Sequence, residues 1–268
     1  MHEAYGDWQT PVTAIRQRHV ERIQMGGMPS LVEEHYHLNP TTTSSITNPN
    51  PNPKNGSPAG ITTDQFLQAA KYRRSVYAIK ASSPVPDERI EQVVQEILSF
   101  APSSYNTQPV RVTLVLGDKH TKLFDEIIAA AEPFLTQAAG EEVWKKMNGL
   151  FQGLRGGYGS VLFWERTTTI AESGQTHPSA AHMFGQWSDH AHGMAHLLTW
   201  SALELEGFGA SLQHLNAIPP VEAVIKKFAG VPDDYSLKAN LVFGEETQEH
   251  PAGPPPKLPF SETLKVLK

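Results

Sequence analysis

Phe100-Ala101-Pro102-Ser103-Ser104-Tyr105-Asn106-Thr107-Gln108-Pro109 joins two segments of different periodicity, and that junction decides the fold class. Before it, Pro86-Asp87 opens a run in which Ile90, Val93, Val94, Ile97 and Leu98 recur at the i, i+3, i+4, i+7, i+8 spacing of one buried helical face. After it, Val110 to Leu116 is β-branched and apolar, as a strand buried on at least one face requires. The stretch between them is polar and turn-forming. Pro102, Ser103, Ser104 and Asn106 gather backbone amides, hydroxyls and a carboxamide where neither element uses them, which suits a heteroaromatic ring with several acceptors. Taken alone, the run also reads as an ordinary helix stop, although loops of this kind tend to carry chemistry.

Working outward, Thr121 to Ala138 resumes a helical period through Phe124, Ile127 and Ala131, and Ser160 to Trp164 with Thr167 to Ala171 reads as a further strand region. Gln186 to Glu206 predicts a long, largely buried helix through Ala191, Met194, Ala195, Leu198 and Leu205, ended by Gly207 as a left-handed cap. Leu237 to Phe243 predicts a last central strand. Upstream, Asp64 is the expected N-cap of a helix burying Phe66, Leu67 and Ala70, with Arg73 and Arg74 at its end. Helices interleaved with few strands predict an α+β fold rather than a repeating βαβ array. Residues 61–268 are expected to form this domain. Residues 1–60 are expected to be a disordered extension, with one short helix at Val12 to Ile23 and an Asn/Pro/Thr/Ser-rich linker from Leu38 to Gly60.

The 268 residues carry 39% hydrophobic side chains, enough for a full core. Lys and Arg number 22 against 28 Asp and Glu, a formal charge of −6, so no global basic field points to nucleic acid. The absence of cysteine excludes disulfides, thiolate catalysis and Cys-ligated metal centres. No apolar run approaches the ~20 residues of a membrane span and no signal pattern opens the chain, so the cytoplasm is the expected compartment, with the nucleus also open to it.

Two further segments complete a constellation. Lys71-Tyr72-Arg73-Arg74-Ser75-Val76-Tyr77 offers planar, always-charged donors and a hydroxyl suited to phosphate or ring carbonyls. Gly207-Phe208-Gly209-Ala210-Ser211-Leu212-Gln213-His214 leaves a helix for an extended segment whose small side chains let a ring approach the backbone. Singly, these segments read as a solvated surface and a helix cap. Together and in this order with the Pro-Ser-Ser-x-Asn loop, they resemble the FMN-dependent nitroreductase family, most closely its fungal and bacterial subgroup with Gln-His after the glycine-rich turn.

The resemblance covers Thr62 to the C-terminus. It implies a mixed central sheet flanked by helices and an intertwined homodimer with shared FMN sites. It also implies FMN with NADH or NADPH as reductant, and ping-pong hydride transfer through flavin N5 to nitroaromatics, quinones or similar electron-poor small molecules. Arg73, Arg74 and Ser75 inherit contacts to the phosphate and the pyrimidine end of the flavin, and Tyr77 stands where many members have a basic residue. Pro102, Ser103, Ser104 and Asn106 would close over the flavin from the partner subunit, with Gln108 near the entrance. Leu212, Gln213 and His214 are candidates for the backbone amide facing N5; Gln213-His214 replaces the Glu-Gly of the better-known enzymes. Lys257 and Lys265 are candidates for the phosphate, where members commonly have an arginine. No side chain is required as general acid. Trp164, Phe184 and Trp187 are candidate lid aromatics. The alternative is a flavin-binding regulatory or storage protein without turnover.

Other signals carry less. Gly153-Leu154-Arg155-Gly156-Gly157-Tyr158-Gly159 lacks both a preceding strand and a P-loop ending, and is expected to introduce the next strand. His182, His190, His192 and His196 crowd one region, the last two at the i, i+4 spacing that can chelate zinc, but without a clear third ligand. No metal is expected. No Gly-x-Ser-x-Gly elbow supports a hydrolase.

Overall fold

The computed structural model describes residues 61–268. The expected helix at Val12 to Ile23 and the linker ending at Gly60 lie outside the described residues.

Helix α1 spans Thr63–Tyr72. Its cap is reciprocal: the Gln65 N–H donates to Thr62 Oγ1 at 3.2 Å and the Thr62 N–H donates to Gln65 Oε1 at 2.8 Å. Thr62 therefore caps the helix rather than the expected Asp64, which sits in the first turn where its charge suits the helix dipole. The short strand β1 (Ile79–Lys80) leads to α2 (Asp87–Phe100), which buries Ile90, Val93, Val94 and Ile97 as its periodicity predicts; Leu98 stays exposed. Then come β2 (Val110–Leu116), α3 (Asp118–Ala139), α4 (Glu141–Arg155) and β3 (Gly159–Arg166). Next are α5 (Thr167–Thr176), the long α6 (Phe184–Leu205), β4 (Phe208–Gln213), α7 (Pro219–Ala229), β5 (Tyr235–Glu246) and a last turn, α8 (Phe260–Thr263).

The architecture is α+β, helices flanking a five-stranded sheet ordered β1-β5-β3-β2 with β4 also on β5. Each of the described ladders runs antiparallel. The β3–β5 register shifts between Phe163, opposite Ala239, and Trp164, opposite Leu237, leaving Lys238 as the extra residue of a bulge. The two faces of the sheet bury separate cores. Leu162, Trp164, Leu237 and Val242 pack with Leu123, Phe124, Phe151 and Ile225 of α3, α4 and α7. Val161, Phe163, Leu241 and Phe243 pack with Ile90, Val94, Ile97 and Leu203 of α2 and α6.

Further expectations change. Thr167 to Ala171 is helical: β3 ends at Arg166, the Thr167 N–H donates to Asp234 O at 2.8 Å, and Thr168 Oγ1 donates to Asp234 Oδ2 at 2.6 Å, which turns the β-branched run out of the sheet. Trp164 is core rather than lid, fully buried with its Nε1–H donating to Thr113 Oγ1 at 3.0 Å. Phe66 and Leu67 are not buried within the chain, being 62% and 44% exposed, and Met194 and Leu205 on α6 are also exposed. The apolar stripe of each helix extends beyond what this chain covers.

Candidate active site

Beyond α1 the backbone turns extended at Arg73 and lies against the sheet, held at two points. The Arg74 N–H donates to Glu204 Oε2 at 2.8 Å, and the Val76 N–H donates to Ala210 O of β4 at 2.8 Å. Gly209 makes this approach fit, because a Cβ there would meet Val76 Cγ1 and Glu246 Cγ, each at 2.7 Å. The small residues of β4 thus serve Val76 as well as any ligand. Arg73 lays its guanidinium 4.2 Å from the centroid of the Trp200 ring, a cation–π contact. Arg74 donates through Nη1 to Arg73 O at 2.6 Å, while its Nε is buried with no partner. Ser75 and Tyr77 face outward, exposed.

Beneath this strip lies a polar cluster. Trp200 Nε1–H donates to Glu204 Oε1 at 2.7 Å, so each carboxylate oxygen holds one N–H. Burial pushes the Glu204 carboxyl up to about 7, against the opposing pull of the Arg74 amide, Trp200, His250 and Arg73. His250 bridges Tyr72 O at 2.8 Å and Glu246 Oε1 at 2.7 Å, its ring stacked on Tyr72. Burial pulls the His250 imidazole down, but its hydrogen bonds to Glu246 and the Tyr72 carbonyl outweigh this and hold it above its ordinary value. The chain continues from His250 into an exposed segment carrying Lys257 and Lys265. Glu204, Trp200 and His250 were not read from the sequence. Trp200 and Glu204 share an i, i+4 spacing, but inside an apolar helical run that spacing alone says nothing of a polar role.

Farther along β4, Leu212 is half-buried and Gln213 buried, its Nε2 donating to Ser211 Oγ at 3.0 Å. His214 follows, exposed, near enough to His196 for its charge to be felt there. His192 and His196 line the buried side of α6, and burial, aided by neighbouring cations, holds their imidazoles down at about 3 and about 4. Neither nitrogen of His192 has a partner, and the described residues contain no group of three or more His, Cys, Asp or Glu placed to hold a metal.

The loop of Pro102, Ser103, Ser104, Asn106 and Gln108 lies elsewhere. Tyr105, Asn106 and Gln108 all take positive φ, at 54°, 52° and 51°, although none is glycine. The loop is braced by the Gln108 N–H donating to Ser103 Oγ at 2.9 Å and by Arg111 Nη1 donating to Gln108 O at 2.6 Å. Non-glycine residues held this way store strain, and such strain gathers at ligand-binding segments. Tyr105 stacks on His177 with ring centroids 4.3 Å apart and stands 6.0 Å from both Phe184 and Trp187. Phe184 itself is buried. Trp187 marks the N-terminal end of α6 and Trp200 the end under the arginines; at ~1.5 Å per residue the two lie roughly 20 Å apart. The arginine strip and β4 are brought together within the chain, and the Pro-Ser-Ser-x-Asn loop is not brought to them.

A strip of two guanidiniums and an outward hydroxyl can bind a phosphate or a polar ring edge. The sequence model of the Nitroreductase family matches residues 70–245, which takes in the strip, the loop and β4. The chain belongs to the nitroreductase family. Among nitroreductase relatives, the HBN1 protein of Saccharomyces cerevisiae is 30% identical over 71% of this chain and 90% of its own. The nitroreductase CinD of Lactococcus lactis, solved in complex with nicotinic acid, is 27% identical, covers 76% of this chain and 100% of its own, and superposes with a TM-score of 0.67. CinD has also been solved with 4-nitrophenol. The fold is further shared with the FMN-dependent nitroreductase NfnB of Mycobacterium smegmatis, in complex with NADPH, at 19% identity over 76% of this chain and 100% of its own, with a TM-score of 0.59. This nitroreductase is accordingly an oxidoreductase enzyme.

Proposed function

We propose that the protein is an FMN-dependent NAD(P)H oxidoreductase that reduces nitroaromatics, quinones or similar electron-poor acceptors, working as a homodimer in the cytoplasm. The observation that carries the reading is the clamped strip, which presents Arg73, Arg74 and Ser75 beside the β4 backbone, with the buried Arg74 Nε still lacking an acceptor. Those residues fit a phosphate-bearing flavin. FMN held there would supply hydride transfer through N5, from NADH or NADPH to the acceptor, in two ping-pong half-reactions.

The chain's contribution is binding and charge. Arg73 and Arg74 hold the phosphate and the pyrimidine edge, where positive charge favours the electron-rich ring. Ser75 adds a hydroxyl, and the β4 end at Leu212, Gln213 and His214 supplies backbone to the ring. Pro102, Ser103, Ser104, Asn106 and Gln108 close the site from the partner subunit, a role supported by their distance from the arginines within one chain. Lys257 and Lys265 are assigned to the outer phosphate region, and Tyr77 to the rim. NfnB is FMN-dependent and binds NADPH, and CinD binds 4-nitrophenol, which fits this chemistry.

The test is the visible spectrum of the purified protein before and after anaerobic addition of NADH, then NADPH, then a quinone. Flavin bands that bleach and return are expected. A colourless protein that refuses added FMN would overturn the reading, and bands that persist with both nucleotides would make it a flavin binder without turnover.

A further inference from the structure

Among the described residues, Glu204 is the one carboxylate buried under the arginine strip, 1% exposed at the C-terminal end of α6. A helix C-terminus disfavours negative charge, and burial disfavours it again. Its place is explained by what it holds. Its two oxygens are taken by donors from two different parts of the chain, the Arg74 amide at 2.8 Å and the Trp200 indole at 2.7 Å. Trp200 in turn carries the Arg73 guanidinium on its ring face. One carboxylate therefore fixes the backbone of one arginine directly and the side chain of the other through Trp200.

We propose that Glu204 is the positioning residue of the cofactor site, presetting Arg73 and Arg74 for the anionic end of the flavin while itself staying behind the strip. This rests on the flavin reading above. The groups facing Glu204 are Tyr72 at the end of α1, Arg73 and Arg74 beyond it, Trp200 on its own helix, and His250 with Glu246 at the end of β5. Ionised, Glu204 accepts from both N–H donors. Once protonated, one oxygen becomes a hydroxyl, so the grip on either Arg74 or Trp200 weakens. The flavin site is then preset above neutral pH and loosened below it.

The experiment compares FMN dissociation constants of the wild type and Glu204→Gln by fluorescence from pH 5.5 to 8.5, and follows the Trp200 indole N–H resonance of the wild-type protein, assigned by its loss in Trp200→Phe. The ratio of the two constants removes the titration of FMN itself. It should be roughly tenfold in favour of wild type at the alkaline end and approach one at the acid end, where protonated Glu204 resembles glutamine. The indole resonance should titrate near neutrality as the Glu204 grip on Trp200 loosens; the pH dependence of the affinity ratio is the readout that a merely structural carboxylate would leave flat. Equal or tighter binding by Glu204→Gln at pH 8.5 would overturn the proposal, because Glu204 would then be neutral to the site or a counter-charge weakening the arginines. So would an indole resonance that does not move with pH. A wild type that binds no FMN at any pH defeats the flavin reading itself, and that failure shows in the wild-type arm alone.

Discussion

Arg73 reaches the candidate site with one face already packed on Trp200, so its charge is held in place before any ligand arrives. Arg73→Ala should lower FMN affinity by roughly ten- to a hundredfold, the loss of a charge-assisted contact of about 1.5 to 3 kcal/mol, read by fluorescence titration. Arg73→Lys keeps the charge but loses the planar stack and should fall between. The histidines make a second prediction. Burial holds His120 at about 4, against its hydrogen bond to Leu154 O, and His192 and His196 at about 3 and about 4. Each takes a proton near pH 6.5 when unfolded, so from about 6.5 down to about 4 the unfolded chain binds more protons and stability falls as the pH falls. Glu204 acts with opposite sign: its native value is raised, so its contribution is lost as pH rises from its ordinary carboxylate range to about 7. With three depressed imidazoles against Glu204 and, at the upper end of the window, the raised His250, calorimetry should show the melting temperature declining from pH 6.5 to 4, and His192→Leu should flatten that decline. The sequence displayed His192 and His196 at a chelating spacing; only the folded chain, with His196 packed on Phe163, shows both imidazoles buried.

Among the elements, α2 and β2 were legible because each shows a single clean period, whereas the arginine strip and β4 stood out only as a set, since each alone reads as a solvated surface or a helix cap. The helix α4 escaped notice: Gly149 and Gly153 dilute its helical signal, and Trp144, Phe151 and Leu154 are spread thinly among charges. The Thr167-Thr168-Thr169 run misled because β-branched residues favour strands, while the side chain and carbonyl of Asp234 decided the local structure from far along the chain. The left-handed loop was partly legible, since Asn106 tolerates positive φ, but Tyr105 and Gln108 gave no such sign. At this scale the contact of Val76 on Gly209 ties the site to the sheet. Gly209→Ala should destabilise the protein by about 1 to 3 kcal/mol by overpacking, seen as a lower melting temperature, and should weaken FMN binding as well, because the displaced segment carries Arg73 and Arg74.

Across the whole molecule the apolar exposure is uneven. Phe260 and Leu267 are 82% and 84% exposed on the C-terminal segment, and Leu197 and Leu205 lie bare along α6. Exposed apolar side chains of this kind, Phe66 and Leu67 among them, are what the proposed homodimer would cover. Light scattering should give the mass of a dimer. The sharper test mixes protomers: with a shared site, a heterodimer of one Arg73→Ala chain and one Asn106→Ala chain carries one intact and one doubly damaged site. It should bind about half the FMN of wild type, at wild-type affinity, whereas sites confined to single chains would all be impaired. The length of α6 between Trp187 and Trp200 also bears on inheritance. If the site is shared between subunits as proposed, a cell carrying one allele damaged at the arginine end and another damaged at the loop end would regain part of its activity through mixed assemblies. Two alleles damaged at the same end would not, so recessive mutations in this gene should sort into two groups that rescue each other but never themselves.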